Sequence, residues 1–217
     1  TEIYTLSLHD ALPICNELNV TRTVREFEAR NVAAIHLEDQ VFSKRCGHLD
    51  GKEIVERDEY IAKIRAAVAA RRNPDFTIIA RTDARAVVSL DEAIERANLA
   101  IEAGADMAFV EAPRTLEEVA VIPREVKGPC LLNLVPAGRT PLLPFAQAQD
   151  LGYRMVILPG LLLKATMEAG DAVLRDVRQT GQMPPLKIDA SVAEFFRRFG
   201  SDEWSALRQR FQQNHQG

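Results

Sequence analysis

The sequence predicts an α/β fold of parallel strands alternating with helices, and within that class a TIM (β/α)8 barrel of which five βα units are visible. Three observations carry that reading. Short runs rich in apolar and β-branched residues alternate with segments of helical periodicity, and strands this apolar are buried on both faces, as in a parallel sheet covered by helices. Four strands in a row deliver a charged or amide group at or near their ends, and in a barrel such ends converge on one mouth. No glycine-rich phosphate fingerprint opens any of the helices, which weighs against the open, doubly wound, dinucleotide-binding sheet.

Taken in order, Val20, Val24 and Phe27 are spaced for one face of an opening helix, with Thr21, Arg22, Arg25, Glu26 and Glu28 on its wet side. Residues 33–37 make the first strand. A helix after Asp58 carries Ile61, Ile64, Ala67 and Val68, and residues 76–80 make the second strand. Ser89 is placed as an N-cap, with Glu92 to complete a capping box, and the helix it starts stops at Gly104. The third strand spans 107–110, and Thr115 with Glu118 repeats the capping pattern before the next helix. The fourth strand, 130–135, leads to a short helix over 145–151 that ends at Gly152. The fifth strand, 153–158, leads to a longer helix over 161–179. Successive strands lie roughly 20 to 45 residues apart, which suits βα units. Residues 182–188 read as a proline-containing linker between the barrel part, 16–181, and a C-terminal segment, 182–217, with two short helices over 190–199 and 201–211.

The chain of 217 residues has a formal net charge of −4 that is not gathered into blocks, so there is no electrostatic footprint for nucleic acid or an anionic membrane. No apolar run approaches the ~20 residues that span a bilayer. Three cysteines (Cys15, Cys46, Cys130) give no disulfide framework, and a reducing cytoplasmic setting is expected. Residues 1–15 keep no period. They are expected to be a non-native cloning segment or a disordered native arm, with no functional part.

The chemistry-bearing residues gather at the strand ends. The first strand runs into Glu38-Asp39-Gln40, the second into Arg81-Thr82-Asp83, the third into Glu111, and the fourth carries Asn133. Charged groups at the ends of buried strands are costly unless paired or bound to a metal. The structural alternative is a set of ion pairs, such as Arg81 with Glu38. After the first strand comes a loop, 41–52, too long for a plain connector. It holds Lys44, Arg45, Cys46, Gly47 and His48: a thiol beside two cations with a histidine close by, the surroundings that make a cysteine reactive. Gly47 is expected to let the loop bend sharply. A zinc site is disfavoured because no second Cys/His pair lies at ligand spacing. Arg139 and Thr140 are expected to help set specificity.

Ile35-His36-Leu37-Glu38-Asp39-Gln40, Lys44-Arg45-Cys46-Gly47-His48, Ala80-Arg81-Thr82-Asp83 and Phe109-Val110-Glu111-Ala112 resemble, in order and spacing, the motifs of the isocitrate lyase / phosphoenolpyruvate mutase superfamily. The resemblance runs from about residue 16 to 181. The cysteine loop is its most specific part. It is similar to that of the carbon–carbon lyases acting on isocitrate, 2-methylisocitrate and 2,3-dimethylmalate or other 2-alkylmalates. The phosphorus-bond branch generally lacks the cysteine.

The resemblance implies a Mg2+-dependent lyase, with Mn2+ as a substitute metal, that cleaves a small 2-hydroxy di- or tricarboxylate through an enolate. Cys46 would protonate the enolate, and His48, Lys44 and Arg45 would poise the thiol on a lid that includes Gly47. Arg81 would hold a substrate carboxylate or enolate oxygen, with Asn133 on the carboxylate. Glu38 and Glu111 would hold the metal, mostly through its waters, with Glu111 also near the substrate. The C-terminal helices, with Phe195, Phe196, Phe199 and Trp204, would join subunits of a homodimer or tetramer, or else cap the chain's own barrel. Alternatives are an oxaloacetate decarboxylase, a carboxyphosphonoenolpyruvate phosphonomutase, or a fragment without catalysis. A whole barrel takes about 250 residues, so the visible units are expected to be the last five. The aspartates that bind Mg2+ directly in the family have no counterpart before Asn16, and the chain by itself is expected to be inactive.

Overall fold

The computed structural model describes residues 16–42, 44–185 and 190–213. The expectation for residues 1–15 falls outside them. The first helix, α1 (Glu17–Glu28), is capped by Asn16 and buries Val20 and Val24, two of the three apolar positions that predicted it. Strand β1 (Ala34–Glu38) follows, then α2 (Arg57–Ala70) and β2 (Thr77–Thr82). Both strands run further than expected, because Glu38 and Arg81 are register partners inside the ladder. Glu38, Arg81, Thr82 and Asn133 are therefore strand residues, while Asp39, Gln40, Asp83 and Glu111 lie just past the strand ends.

A short helix absent from the sequence reading, α3 (Ala84–Val87), precedes α4 (Leu90–Glu102). Strand β3 (Met107–Val110), α5 (Leu116–Glu125) and β4 (Cys130–Asn133) come next. Ser89 and Thr115 cap α4 and α5, their hydroxyls accepting from Glu92 N and Glu118 N at 3.1 and 3.2 Å. Neither capping box closes, because both glutamates are drawn elsewhere. Glu92 pairs with Arg57 and Arg96, and Glu118 with Arg85. Strand β4 stops short of residue 135. Pro136 has no N–H to donate, and Ala137 takes a left-handed φ of 63°. The remaining elements are α6 (Phe145–Leu151), β5 (Tyr153–Ile157), α7 (Leu161–Thr180), α8 (Val192–Arg198) and α9 (Ser201–Gln213). Gly152 ends α6 at φ 109°, a conformation that suits glycine.

The five strands form one parallel sheet in the order β1-β2-β3-β4-β5. That is the order of successive staves in a (β/α)8 barrel, whereas an open doubly wound sheet reverses at a switch point. Side chains alternate across each strand. One face carries a small apolar group of Ile79, Phe109 and Leu131, backed by Ala34, Met107, Met155 and Ile157. The other face packs against the helices in two larger groups, around Val20, Ile35, Ile64 and Ile78 and around Ala97, Ala108, Ile122 and Leu132.

The chain divides into two compact units, one through Lys164 and one from Ala165 onward. The division falls within α7, ahead of the linker expected at 182–188. Helix α7 is amphipathic but buries no residue, and Leu162, Leu163, Met167 and Leu174 are exposed along it. No helix among the described residues is long and apolar enough to cross a membrane.

On the helix-covered face, Asp39 is fully buried. Its carboxylate accepts from Thr82 Oγ1 at 2.6 Å and Asp83 N at 2.8 Å, and pairs with Arg96 Nη1 at 3.2 Å. Burial raises the Asp39 pKa, and these hydrogen bonds and the Arg96 charge oppose the rise. Arg96 also donates to Val55 O at 2.8 Å, joining the end of β1 to the start of α2 and to α4. Removing one partner of a buried pair leaves an uncompensated charge. Arg96→Met is therefore expected to lower the free energy of unfolding by about 3 kcal/mol, read by urea denaturation; a loss below about 1 kcal/mol, the scale of an exposed pair, would show that the network contributes little.

Candidate active site

The strands' other face carries the polar cluster. In-facing positions repeat every second residue: His36 and Glu38 on β1, Ile79 and Arg81 on β2, Phe109 on β3 with Glu111 just beyond it, Leu131 and Asn133 on β4. Apolar side chains make the floor and polar ones the rim. Arg81 is the hub. Its Nε lies 3.0 Å from Asp83 Oδ2 and 3.3 Å from Glu38 Oε2, and its Nη2 lies 3.0 Å from Glu111 Oε2. The guanidinium rests over the Phe109 ring, 5.0 Å from its centre. Burial pulls the Arg81 pKa down, but Glu111, Asp83 and Glu38 more than offset that and raise it. Asn133 Nδ2 is 3.3 Å from Glu111 Oε1.

A cleft of about 370 Å3 opens over this cluster, and its lining includes Lys44, Cys46, Gly47, His48, Arg81, Glu111 and Asn133. Seven of the nine expected site residues thus come together. Glu38 lies behind the wall, fixed to two lining residues: Arg81, and Lys44 with its Nζ at 3.3 Å. Arg45 is the exception. It is exposed, and its guanidinium faces Asp50 O at 3.4 Å, away from the cleft. Gln40 takes the Arg45 backbone in a reciprocal pair, accepting from Arg45 N at 2.9 Å and donating to Arg45 O at 3.0 Å. That clamp turns the Arg45 side chain outward.

Gly47 also has a different role from the expected sharp bend. Its backbone lies flush on the cluster. A Cβ there would fall 2.6 Å from Arg81 Nη2 and 2.7 Å from Glu111 Cδ, so only glycine lets the loop approach this closely. His48 does not turn to Cys46. Its Nδ1 accepts from Arg139 N at 3.1 Å and its Nε2 faces Glu111 Oε1 at 3.4 Å, close but not aligned for a hydrogen bond. Cys46 is exposed at the cleft edge, while Cys130 is buried and its thiol is pushed up to about 12 by desolvation.

The sequence reading missed Gln40, Lys52, His36 and Asp83 as parts of the site. Buried Lys52 donates to Gly47 O at 2.6 Å and Leu49 O at 2.7 Å, and burial lowers its pKa. His36 stacks edge-on against Phe109, and burial, with Arg81 and Lys44 adding, lowers its pKa to about 4. Only the in-facing position of His36 and the strand-end position of Asp83 were visible signals. Ala112 follows Glu111 at φ 55°, and its N–H donates to Glu111 Oε1 at 2.9 Å. A left-handed non-glycine residue costs about 1 kcal/mol, spent here on fixing the carboxylate.

Four buried atoms around the cluster have no hydrogen-bond partner: Glu38 Oε1, Asn133 Oδ1, His36 Nε2 and His48 Nε2. When ionised, Glu38, Asp83 and Glu111 face an equal number of cations, Arg81, Lys44 and the buried Lys52, whose charge acts on Asp83 and Glu111. Glu38 Oε1 has the Lys44 ammonium 3.3 Å away but accepts no hydrogen bond, and a carboxylate oxygen with lone pairs to spare suits a hard cation. Among the described residues, however, no group of three or more His, Cys, Asp and Glu is close enough to ligate one directly. These residues would hold a metal only through its waters.

Residues 16–178 match the phosphoenolpyruvate phosphomutase family. The chain belongs to this family. It is thereby a member of the phosphoenolpyruvate mutase / isocitrate lyase superfamily that the motifs resemble. Among relatives of the phosphomutase-family chain, a 2,3-dimethylmalate lyase of Eubacterium barkeri is 47% identical over 175 residues, 79% of this chain and 61% of that protein. A 2-methylisocitrate lyase of Aeropyrum pernix is 46% identical over 164 residues, 76% of this chain and 53% of that protein. The chain thus spans only 53 to 61% of the length of these two relatives. A solved oxaloacetate acetylhydrolase bound to the inhibitor 3,3-difluorooxalacetate superposes with a TM-score of 0.82 at 36% identity, covering 89% of this chain and 66% of that one.

Burial raises the Glu38 carboxyl from 4.5 to about 7, against the pull of Arg81 and Lys44. A carboxyl that holds its proton more tightly when folded favours the native state at low pH. Stability therefore falls as pH climbs from about 4.5 to 7, and the penalty is complete above that window. Its size is on the order of 3 kcal/mol. In metal-free buffer, Glu38→Gln is expected to stabilise the protein at pH 8, with a gain that shrinks toward zero near pH 4, measured by denaturant titration. A gain that is flat with pH would mean that Glu38 is not the titrating acid.

Proposed function

We propose that the full-length protein is a Mg2+-dependent carbon–carbon lyase, a closed (β/α)8 barrel that splits a 2-hydroxy di- or tricarboxylate of the 2-alkylmalate or 2-methylisocitrate type through an enolate. The observation that carries this reading is the presence of Cys46 on the rim of the cleft whose base is the Arg81 cluster. A proton donor stands there beside a fixed cation, as cleavage of a 2-hydroxy acid requires. The hydroxyl loses its proton to a base and the C–C bond breaks to an oxo acid and an enolate. The enolate carbon then takes a proton from the Cys46 thiol.

Arg81, held by its carboxylates and so unable to swing, presents a preorganised charge to a carboxylate or enolate oxygen. Asn133 and Lys44 add donors on either side. Glu38 and Glu111 would hold Mg2+ through its waters, and the orphaned Glu38 Oε1 supports that role. When bound, the metal supplies fixed positive charge beside the oxygen on which negative charge develops. Val135, Ile157 and Pro159 line the rest of the cleft and suit an alkyl branch.

The similarity to an oxaloacetate acetylhydrolase favours one second reading, an enzyme acting on oxaloacetate. Homo-oligomerisation is part of the proposal. It is supported by the exposed Phe195, Phe196 and Phe199 on and beside α8 and Trp204 on α9, since apolar patches on a surface mark interfaces.

Cys46→Ser in the full-length protein is expected to lower kcat by ~10^2 to 10^4 while KM changes little, in an assay of 2,3-dimethylmalate and 2-methylisocitrate cleavage with oxaloacetate as comparison. Near-normal turnover would remove Cys46 from the mechanism. Chelation is expected to abolish the activity and added Mg2+ or Mn2+ to restore it. Activity that survives in chelator would remove the metal roles.

A further inference from the structure

The loop that carries Cys46 is fastened at three places. Gln40 holds the Arg45 backbone, Lys52 holds the carbonyls of Gly47 and Leu49, and both come from the loop's own flanks. The third fastening comes from across the cleft. Arg139, in the segment between β4 and α6, gives its backbone N–H to His48 Nδ1 at 3.1 Å and its Nε to His48 O at 3.1 Å, and its Nη2 pairs with Asp50 Oδ1 at 2.6 Å. The approach is tight. A Cβ on Gly138 would lie 3.0 Å from both His48 Cε1 and His48 Nδ1 and 2.9 Å from Val135 O.

These contacts determine where the hydrogen on the imidazole sits. A ring nitrogen that accepts an N–H carries no hydrogen of its own, so the neutral ring bears it on Nε2. That is the nitrogen facing Glu111 Oε1. Glu111 in turn contacts Arg81 and Asn133. One arginine therefore governs the tautomer and direction of His48 and, through its grip on His48 O and Asp50, the placement of the loop over the cleft.

We propose that Arg139 is a positioning residue. It latches the Cys46 loop to the Asn133-bearing side of the cleft and holds His48 as the Nε2–H tautomer against Glu111. The kinetic consequence rests on the lyase reading above, whereas the latch itself does not. An open loop would present Lys44 and Arg45 to proteases, because cleavage of a native protein tracks local opening.

The test uses the full-length protein and the variants Arg139→Ala, Arg139→Lys and Asp50→Ala, the last removing the exposed salt bridge alone. Arg139→Ala is expected to speed tryptic cleavage after Lys44 and Arg45 roughly tenfold, the scale of losing a hydrogen bond to a charged group. It is also expected to turn the side-chain 15N signals of His48 from a single Nε2–H form into a mixture of tautomers. Asp50→Ala should give a smaller rise in cleavage with the tautomer retained, and Arg139→Lys a partial rescue of both. In lyase assays, Arg139→Ala should lower kcat with KM little changed. Unchanged cleavage together with an unchanged tautomer overturns the latch. A wild-type protein without lyase activity, whose cleavage and tautomer still respond to Arg139→Ala, sinks the lyase reading and leaves the latch standing. Normal kcat in Arg139→Ala, alongside an opened loop, overturns the positioning role.

Discussion

Arg81 and the three carboxylates around it are the constraint on which the rest of the site depends. A buried guanidinium is costly without partners, and here Glu38 and Glu111 flank it from the neighbouring strands and Asp83 from just past the end of its own. Lys44 and Lys52 bring the cations level with the three carboxylates, and Glu38 Oε1, beside Lys44, accepts no hydrogen bond. The same compact cluster dictates the loop above it, since only a residue without a side chain fits at position 47, against Arg81 and Glu111. Charge pairing at the base thus determines how near the thiol-bearing loop can come.

The alternation of the strands separates two ion networks that are adjacent in sequence. Glu38 sits with Arg81 on the cleft side of the sheet, behind the wall, while Asp39, the next residue, faces the helices with Thr82 and Arg96. One network borders a cavity. The other satisfies its carboxylate from three directions and is closed. Their contrast distinguishes a group arranged for a ligand from one arranged for folding, although both are buried acids beside arginines.

The loop is held from below by close backbone approach and from the side by Arg139, so its order does not wait for a ligand. Preorganisation of this kind lowers the entropic cost of assembling a site around its substrate. The apolar stripe of α7 follows a different logic. It has the periodicity of a packed helix, yet none of its residues is buried. An amphipathic face declares that something should cover it without saying what does.

Element order and helix caps were legible in the sequence because they rest on patterns a few residues long, and the cleft residues because they sit at strand ends and in the motifs that carry the resemblance. Ser89 and Thr115 cap as read, β3 has the bounds read for it, and Lys44, Cys46, His48, Arg81, Glu111 and Asn133 do share a cleft. The tertiary structure decided the rest, because the partners lie far apart along the chain. Arg45 turns away because Gln40 holds its backbone, His48 faces Glu111 because Arg139 occupies its other nitrogen, and Glu92 abandons its cap for Arg57 and Arg96. Periodicity and spacing record what a residue is next to along the chain. Which charge it finally meets depends on how the strands align in the sheet, and no local pattern encodes that.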